Sequence, residues 1–137
     1  MTSFNYITIH CSASPQGRGD DAETIHSWHM KRGWDGIGYH YVVLEDGEIQ
    51  RGRPHYWKGA HVGGHNYRNL GICLIGDDVF TDEQYGALAF LLRELLDRYP
   101  DVQILGHRDW PDTGKTCPNF DVALYLQSIG LEKYSIA

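Results

Sequence analysis

The spacing of hydrophobic residues along the chain changes between a period of two and a period close to four. Alternating or continuously apolar segments predict β-strands, whereas apolar residues three and four positions apart predict α-helices. Strands are predicted over residues 6–10, 39–44, 48–51, 70–75 and 102–106. The pair Asp46-Gly47 lies between the second and third of these segments, and it predicts a hairpin turn.

Three helices are predicted between and after these strands. The first begins at Asp20 or Asp21, either of which can cap it, and it ends at Gly33. One side of this helix presents Ile25, Trp28, His29 and Arg32. The second begins at Thr81, where a capping box is predicted, and the third spans residues 121–128. Because strands and helices alternate, the sequence predicts an α/β fold.

Length and charge exclude several classes of protein. The whole chain, residues 1–137, is predicted to be a single domain that buries a core without disulfides. Its formal net charge of -6 argues against nucleic-acid binding and against docking on an anionic membrane. The longest apolar run, residues 87–92, is too short to span a bilayer. No signal peptide is recognisable, and the 3 cysteines predict reduced thiols, so we expect synthesis in the cytoplasm.

Three residues that can bind a metal lie at or after predicted strand ends. His10 ends the first strand, His107 follows the last one, and Cys117 lies further along the loop. A catalytic zinc site uses three protein ligands from histidine, cysteine or carboxylate and keeps a fourth position for water. The spacing alone also fits a hydrogen-bonded histidine at a strand end and a buried cysteine, so both interpretations are open at this level.

Several short motifs occur in an order typical of one protein family. They are Ile9-His10-Cys11-Ser12-Ala13, Trp28-His29, Gly33-Trp34, Gly38-Tyr39-His40-Tyr41, Asp46-Gly47, Gly59-Ala60-His61, Asn69-Leu70-Gly71-Ile72-Cys73-Leu74-Ile75-Gly76, Gly106-His107-Arg108-Asp109 and Lys115-Thr116-Cys117-Pro118. With these motifs the chain resembles the zinc N-acetylmuramoyl-L-alanine amidases of type 2, and among them the small bacteriophage amidases called lysozymes. This group shares its fold with the peptidoglycan recognition proteins.

The resemblance implies a central mixed β-sheet flanked by α-helices. It also implies one Zn²⁺ per chain, bound by His10, His107 and Cys117, with catalytic roles for Tyr39 and Lys115. All of these positions hold the residue type expected of an active amidase. From the residues alone, the alternatives are an aromatic side chain on a sheet surface at Tyr39 and a solvated loop lysine at Lys115. Whether Tyr39 or the metal-activated water is the base stays open.

A basic segment interrupts this acidic protein. Residues 49–76 contain no acidic side chain and the following basic ones: Arg51, Arg53, Lys58 and Arg68. The segment either balances acidic neighbours or forms a groove for the carboxylates of a peptidoglycan stem peptide, which arginine binds with two parallel hydrogen bonds. We expect Arg53 and Arg68 to bind the substrate. We expect the same of His61, where the family has a histidine in its groove, and of Trp34.

The predicted strand of residues 39–44 also sets the direction of its side chains. Tyr39 is expected on the same face as Tyr41 and Val43, with His40 on the opposite face. The remaining histidines of the loops and the first helix, His26, His55 and His65, are predicted to lie at the surface.

The predicted activity is hydrolysis of the amide bond between N-acetylmuramic acid and L-alanine in bacterial peptidoglycan, by a phage or prophage endolysin. We expect a monomer that stays in the host cytoplasm until the inner membrane is breached. One alternative is a peptidoglycan-binding or regulatory protein of the same fold, since some phage members bind a phage RNA polymerase. Another is a metallopeptidase that cuts within the stem peptide.

Overall fold

Five strands form one mixed β-sheet in the computed structural model, which describes residues 3–136. The strands are β1 (Tyr6–Cys11), β2 (Tyr41–Val43), β3 (Ile49–Arg51), β4 (Asn69–Leu74) and β5 (Gln103–Gly106). Their order across the sheet is β3-β2-β4-β1-β5. β1 pairs in parallel with β4 and β5, and β2 pairs in parallel with β4. Only the hairpin partner β3 runs antiparallel, so the predicted mixed sheet is confirmed.

Three α-helices surround the sheet: α1 (Ala22–Lys31), α2 (Asp82–Arg98) and α3 (Val122–Ser128). Of the two predicted caps for α1, Asp21 is the one used, since its carboxylate accepts a hydrogen bond from the backbone N–H of Thr24. The predicted capping box at Thr81 is also present at the start of α2. One short 3-10 turn follows β5, and a second lies after α3, near the end of the described residues. Within residues 3–136, no helix is long and apolar enough to cross a membrane.

The two faces of the sheet are covered differently. One face carries Ile7 and Ile9 of β1 into the larger hydrophobic core, which α2 and α3 complete. The other face carries a smaller apolar cluster beneath α1, centred on Ile25. Because side chains alternate along a strand, His10 of β1 belongs to this second face. α1 covers only part of that face, and a cleft occupies the rest.

The predicted face of Tyr39 is wrong. β2 begins only at Tyr41, whose side chain packs with Val43 in the larger core, whereas Tyr39 packs against the smaller cluster on the other face. The cause is an irregularity in the hairpin: the N–H groups of Gly52 and Arg53 donate in succession to the carbonyls of His40 and Tyr39. A regular antiparallel pair does not use neighbouring carbonyls in this way, so the alternation fails here.

The predicted surface position of His55 is also wrong. His55 is 8% exposed, and its two ring nitrogens lie 2.7 Å from the hydroxyls of Tyr41 and Tyr99. By contrast, His26 is exposed and His65 is half-buried beside an aspartate. Tyr99 is 44 positions away from His55 along the chain, so no local pattern could have indicated this contact.

Candidate active site

The parallel pairing of β1 and β5 brings the two predicted histidine ligands together. Ile9 pairs with Gly106 in two neighbouring parallel strands. His10 and His107 therefore lie side by side where these strands end. Their ring centroids are 4.7 Å apart. His10 is fully buried at the strand end, whereas His107 begins the 3-10 turn after β5. Such strand ends hold side chains rigidly while facing them into a crevice.

The loop after β5 returns the third predicted ligand to the same place. The N–H of Arg108 donates to the carbonyl of Cys117 at 2.8 Å, which closes the loop. The Cys117 sulfur lies 3.9 Å from Nδ1 of His10 and 3.6 Å from Nδ1 of His107. Across residues 3–136, these three form the only group of histidine, cysteine or carboxylate side chains close enough to share a metal ion.

The arrangement fits a tetrahedral zinc ion. Bond lengths of about 2.3 Å to sulfur and about 2.0–2.1 Å to nitrogen place neighbouring ligand atoms about 3.5 Å apart. The two sulfur–nitrogen separations, 3.6 and 3.9 Å, agree with that value. Two imidazoles and one thiolate are a donor set that zinc accepts, and three protein ligands leave a fourth position open.

The local electrostatics favour the metal-binding form of each ligand. Burial, reinforced by the neighbouring His61 and His107, lowers the pKa of His10 well below its ordinary value. Burial and the charge of Lys115 lower the pKa of His107. A hydrogen bond from the Cys11 thiol lowers the pKa of Cys117. Metal ligands must be deprotonated, so all three shifts act in the direction that binding requires.

His61 lies directly behind His10. Nδ1 of His61 is 2.9 Å from Nε2 of His10, and Nε2 of His61 is 2.8 Å from the backbone carbonyl oxygen of Asn69. Burial lowers the pKa of His61 to about 3, so its ring is neutral at pH 7. His61 also reaches the cleft wall, but only 9% of the residue is exposed.

The two predicted catalytic residues lie on the same cleft. The Tyr39 ring is 5.0 Å from the His10 ring, centroid to centroid. Burial raises the pKa of Tyr39 well above its ordinary value, so the side chain is a neutral phenol at physiological pH. Lys115 is exposed on the loop that carries Cys117. The structure therefore brings together the five positions that the resemblance implied.

The cleft has a volume of about 780 Å³ and a second wall formed by α1 and the turn after it. Trp28, His29, Arg32 and Trp34 line this wall. The Arg32 guanidinium lies over the Trp34 indole at 5.5 Å, and within residues 3–136 no carboxylate forms an ion pair with it.

Sequence reasoning missed Trp28 and Arg32 as site residues. The available signal was that both share one side of α1 with the buried Ile25, but this spacing does not distinguish a cleft from a core.

The basic side chains of residues 49–76 do not line the cleft, although other residues of the segment do. Arg53 donates from Nε to the carbonyl of Ile37 at 2.8 Å and from Nη1 to the carbonyl of Lys58 at 2.6 Å. Arg68 is exposed and lies against Tyr67. Neither arginine lines the cleft, whereas His61 and Trp34 both do. A substrate contact by Arg53 or Arg68 therefore requires a ligand that extends beyond the cleft.

Comparison with known proteins agrees with this geometry. The family described as N-acetylmuramoyl-L-alanine amidase matches residues 1–120. This chain therefore belongs to the N-acetylmuramoyl-L-alanine amidase family, as the motifs had indicated.

Individual relatives include phage lytic enzymes. The endolysin of Enterobacteria phage K11 is 34% identical over 128 residues, covering 88% of this chain and 83% of the relative. Among solved structures, the amidase LysC from Clostridium intestinale URNW superposes with a TM-score of 0.83 at 31% identity, covering 95% of this chain and 87% of that one. The Ph2119 endolysin from Thermus scotoductus MAT2119 bacteriophage Ph2119 gives 0.82 at 30% identity, with coverages of 93% and 85%.

Proposed function

We propose that this protein is a zinc-dependent endolysin that hydrolyses the amide bond between N-acetylmuramic acid and L-alanine in bacterial peptidoglycan. Its family and its endolysin relatives support a phage peptidoglycan hydrolase. The observation that carries the zinc assignment is the convergence of His10, His107 and Cys117 at one edge of the sheet, with spacings that match a tetrahedral ion.

The protein side chains and the metal have separate tasks in this proposal. When bound, zinc supplies an activated water and polarises the scissile carbonyl. The thiolate of Cys117 offsets part of the metal charge. Lys115 lies two positions from Cys117 on the cleft wall, where its ammonium group can stabilise the oxyanion that develops as the carbonyl is attacked.

Tyr39 is assigned the role of hydrogen-bond donor. Burial raises the pKa of Tyr39, which favours the protonated phenol as a donor. A neutral phenol beside His10 can orient water or substrate in the cleft. Replacing Tyr39 with Phe is expected to preserve metal binding and fold while lowering turnover.

The α1 wall is suited to hold the substrate. The indoles of Trp28 and Trp34 offer flat apolar surfaces on which sugar rings or peptide can stack. No carboxylate within the described residues 3–136 forms an ion pair with Arg32, so its guanidinium can bind a carboxylate of the stem peptide. We assign Arg32 this task together with Trp34.

The decisive experiment is digestion of purified peptidoglycan followed by mass spectrometry of the products. An amidase releases intact stem peptides with a free L-alanine amino group and leaves the lactyl carboxylate on the glycan. A stem-peptide metallopeptidase yields shortened peptides, and a binding protein yields no products. Activity should disappear with a chelator and return on addition of zinc. Either of the other product patterns would reject the proposed reaction.

A further inference from the structure

The backbone carbonyl of Asn69 determines which ring nitrogens of His10 and His61 carry protons. The carbonyl oxygen of Asn69 can only accept, so Nε2 of His61 must carry a proton and donate it at 2.8 Å. The neutral His61 ring then has a lone pair on Nδ1. Nε2 of His10, 2.9 Å away, must be the donor to that lone pair. This leaves Nδ1 of His10 unprotonated, and that is the nitrogen that faces Cys117.

Both ring nitrogens of His61 are thus engaged inside the protein. One is bonded to His10 and the other to the backbone of β4. No nitrogen is left to contact a substrate or to move a proton to it. The role expected from the resemblance, a substrate contact by His61, does not fit this hydrogen bonding.

Two glycines and one asparagine side chain hold the His61 ring in place. A Cβ atom at Gly71 would lie 2.8 Å from the His61 ring, and one at Gly59 would lie 2.6 Å from it, so both positions leave room for the imidazole only because they are glycine. The side-chain oxygen of Asn66 accepts hydrogen bonds from the N–H groups of His61 and Val62, each at 2.8 Å. The ring therefore has one position and one orientation.

We propose that His61 is a positioning residue, which selects the tautomer of His10 and aims its Nδ1 at the metal position. The relay runs from the Asn69 carbonyl through His61 to His10. Partners of this kind, which hydrogen-bond the second nitrogen of a ligating histidine, fix the ring and raise its basicity, and their loss costs about 10- to 100-fold in metal affinity. The inference rests on the proposed function only through the metal, because it does not depend on which bond is cut.

The test compares two substitutions of His61. In His61→Gln the amide can donate to Asn69 and accept from His10, so the relay is conserved, whereas His61→Leu removes both bonds. We measure the affinity for Zn²⁺ by competition with a chromophoric chelator and the visible spectrum of the Co²⁺-loaded protein. His61→Leu should bind zinc about 10- to 100-fold more weakly and give an altered Co²⁺ spectrum. His61→Gln should recover most of the affinity. The control His26→Leu, at an exposed residue outside both the relay and the cleft, should match the wild type.

Equal zinc affinity and equal Co²⁺ spectra for the wild type and His61→Leu would overturn the proposal. If His61→Leu does not fold, Gly71→Ala is used instead, since the added methyl displaces the imidazole without removing it. At saturating zinc, the KM of His61→Leu for peptidoglycan should stay near the wild-type value, and a selective rise in KM would restore the substrate-contact role. Wild-type protein that binds no zinc would reject both this relay and the zinc dependence. Wild-type protein that binds zinc but yields no amidase products would reject the reaction alone.

Discussion

The indole N–H of Trp110 donates a hydrogen bond to the hydroxyl of Thr8 at 3.1 Å. This bond ties the start of the loop that carries Lys115 and Cys117 to the central strand β1. The Thr8 hydroxyl in turn donates a hydrogen bond to the side-chain oxygen of Asn69 at 2.7 Å. The loop, β1 and β4 are therefore joined by one continuous chain of hydrogen bonds beneath the metal ligands.

Trp110→Phe should loosen this connection. The variant keeps an aromatic ring but loses the donor to Thr8, so we expect the free energy of unfolding to fall by about 1 kcal/mol. Urea unfolding of the metal-free protein measures this change. Trp57→Phe is the matched control, because the Trp57 side chain is 48% exposed and should be insensitive to the substitution. Similar losses in the two variants would mean that the bond to Thr8 adds nothing.

Cys117→Ser should leave a folded protein with little bound zinc and little activity, because a hydroxyl is a poor metal ligand at neutral pH. Elemental analysis and peptidoglycan turbidity assays measure the two effects. Cys73→Ala is the matched control, since Cys73 is buried in the smaller apolar cluster and is absent from the metal group. Zinc content near one ion per chain in Cys117→Ser would contradict the assigned ligand set.

Lys115→Ala should keep its zinc and its fold but lower kcat. Removal of one oxyanion donor costs on the order of 100- to 1000-fold in turnover. Steady-state kinetics on soluble peptidoglycan fragments measure kcat, and Lys58→Ala provides an exposed lysine outside the cleft as control. A wild-type kcat in Lys115→Ala would leave this residue as a solvated loop lysine.

Arg32→Ala should weaken substrate binding, whereas Arg53→Ala should lower stability. Loss of Arg32 removes a free guanidinium from the cleft wall, so KM should rise while kcat changes little. Loss of Arg53 removes donors to the carbonyls of Ile37 and Lys58, so the free energy of unfolding should fall by about 1–2 kcal/mol. Measuring KM and urea unfolding for both variants separates the two roles. The opposite pattern would return substrate binding to the basic segment.

Stability of the metal-free protein should depend on pH through His55. Burial lowers the pKa of His55 from 6.5 to about 4. The unfolded chain therefore takes up its proton at a higher pH than the folded protein does, and protons favour unfolding. The stability linked to this group is complete above pH 6.5 and is lost as the pH falls toward 4. His55→Gln should make this dependence less steep in urea unfolding series, with a remaining slope from His29, whose pKa burial also lowers to about 4, whereas the exposed His26→Gln should leave the slope unchanged. Parallel curves for all three proteins would contradict the assignment.

The sequence predicted the parts of the fold that local signals encode. The capping box at Thr81 and the apolar run of β4 define elements whose positions were confirmed within a residue or two. The resemblance indicated the three residues that the structure brings close together, and strand position explains two of them, because His10 and His107 lie where two neighbouring parallel strands end. The structure adds that Cys117 reaches this edge through a closed loop.

The rest depends on contacts that no short window contains. The prediction of the sheet face for Tyr39 assumed that side chains alternate regularly along the strand. Gly52 and Arg53 interrupt the regular hydrogen bonding of the hairpin, so the prediction was wrong. The charge of Arg53 is visible in the sequence, whereas the carbonyls that bind its guanidinium are not, and its contact with substrate stays a prediction. The position of Arg32 on the cleft wall was not predictable, since a helix side that faces a cleft has the same residue spacing as one that faces a core.

The lengths of the two outer strands decide how easily a second molecule could extend the sheet. One edge is the three-residue strand β3, which ends in the exposed Arg51. The other edge, β5, is only four residues long, and a bridge from Ile104 to Ser135 occupies part of it. Short, charged or covered edges give a neighbouring molecule little backbone on which to add a strand. Among residues 3–136, the sheet therefore presents no long unpaired edge to which a second molecule could add a strand.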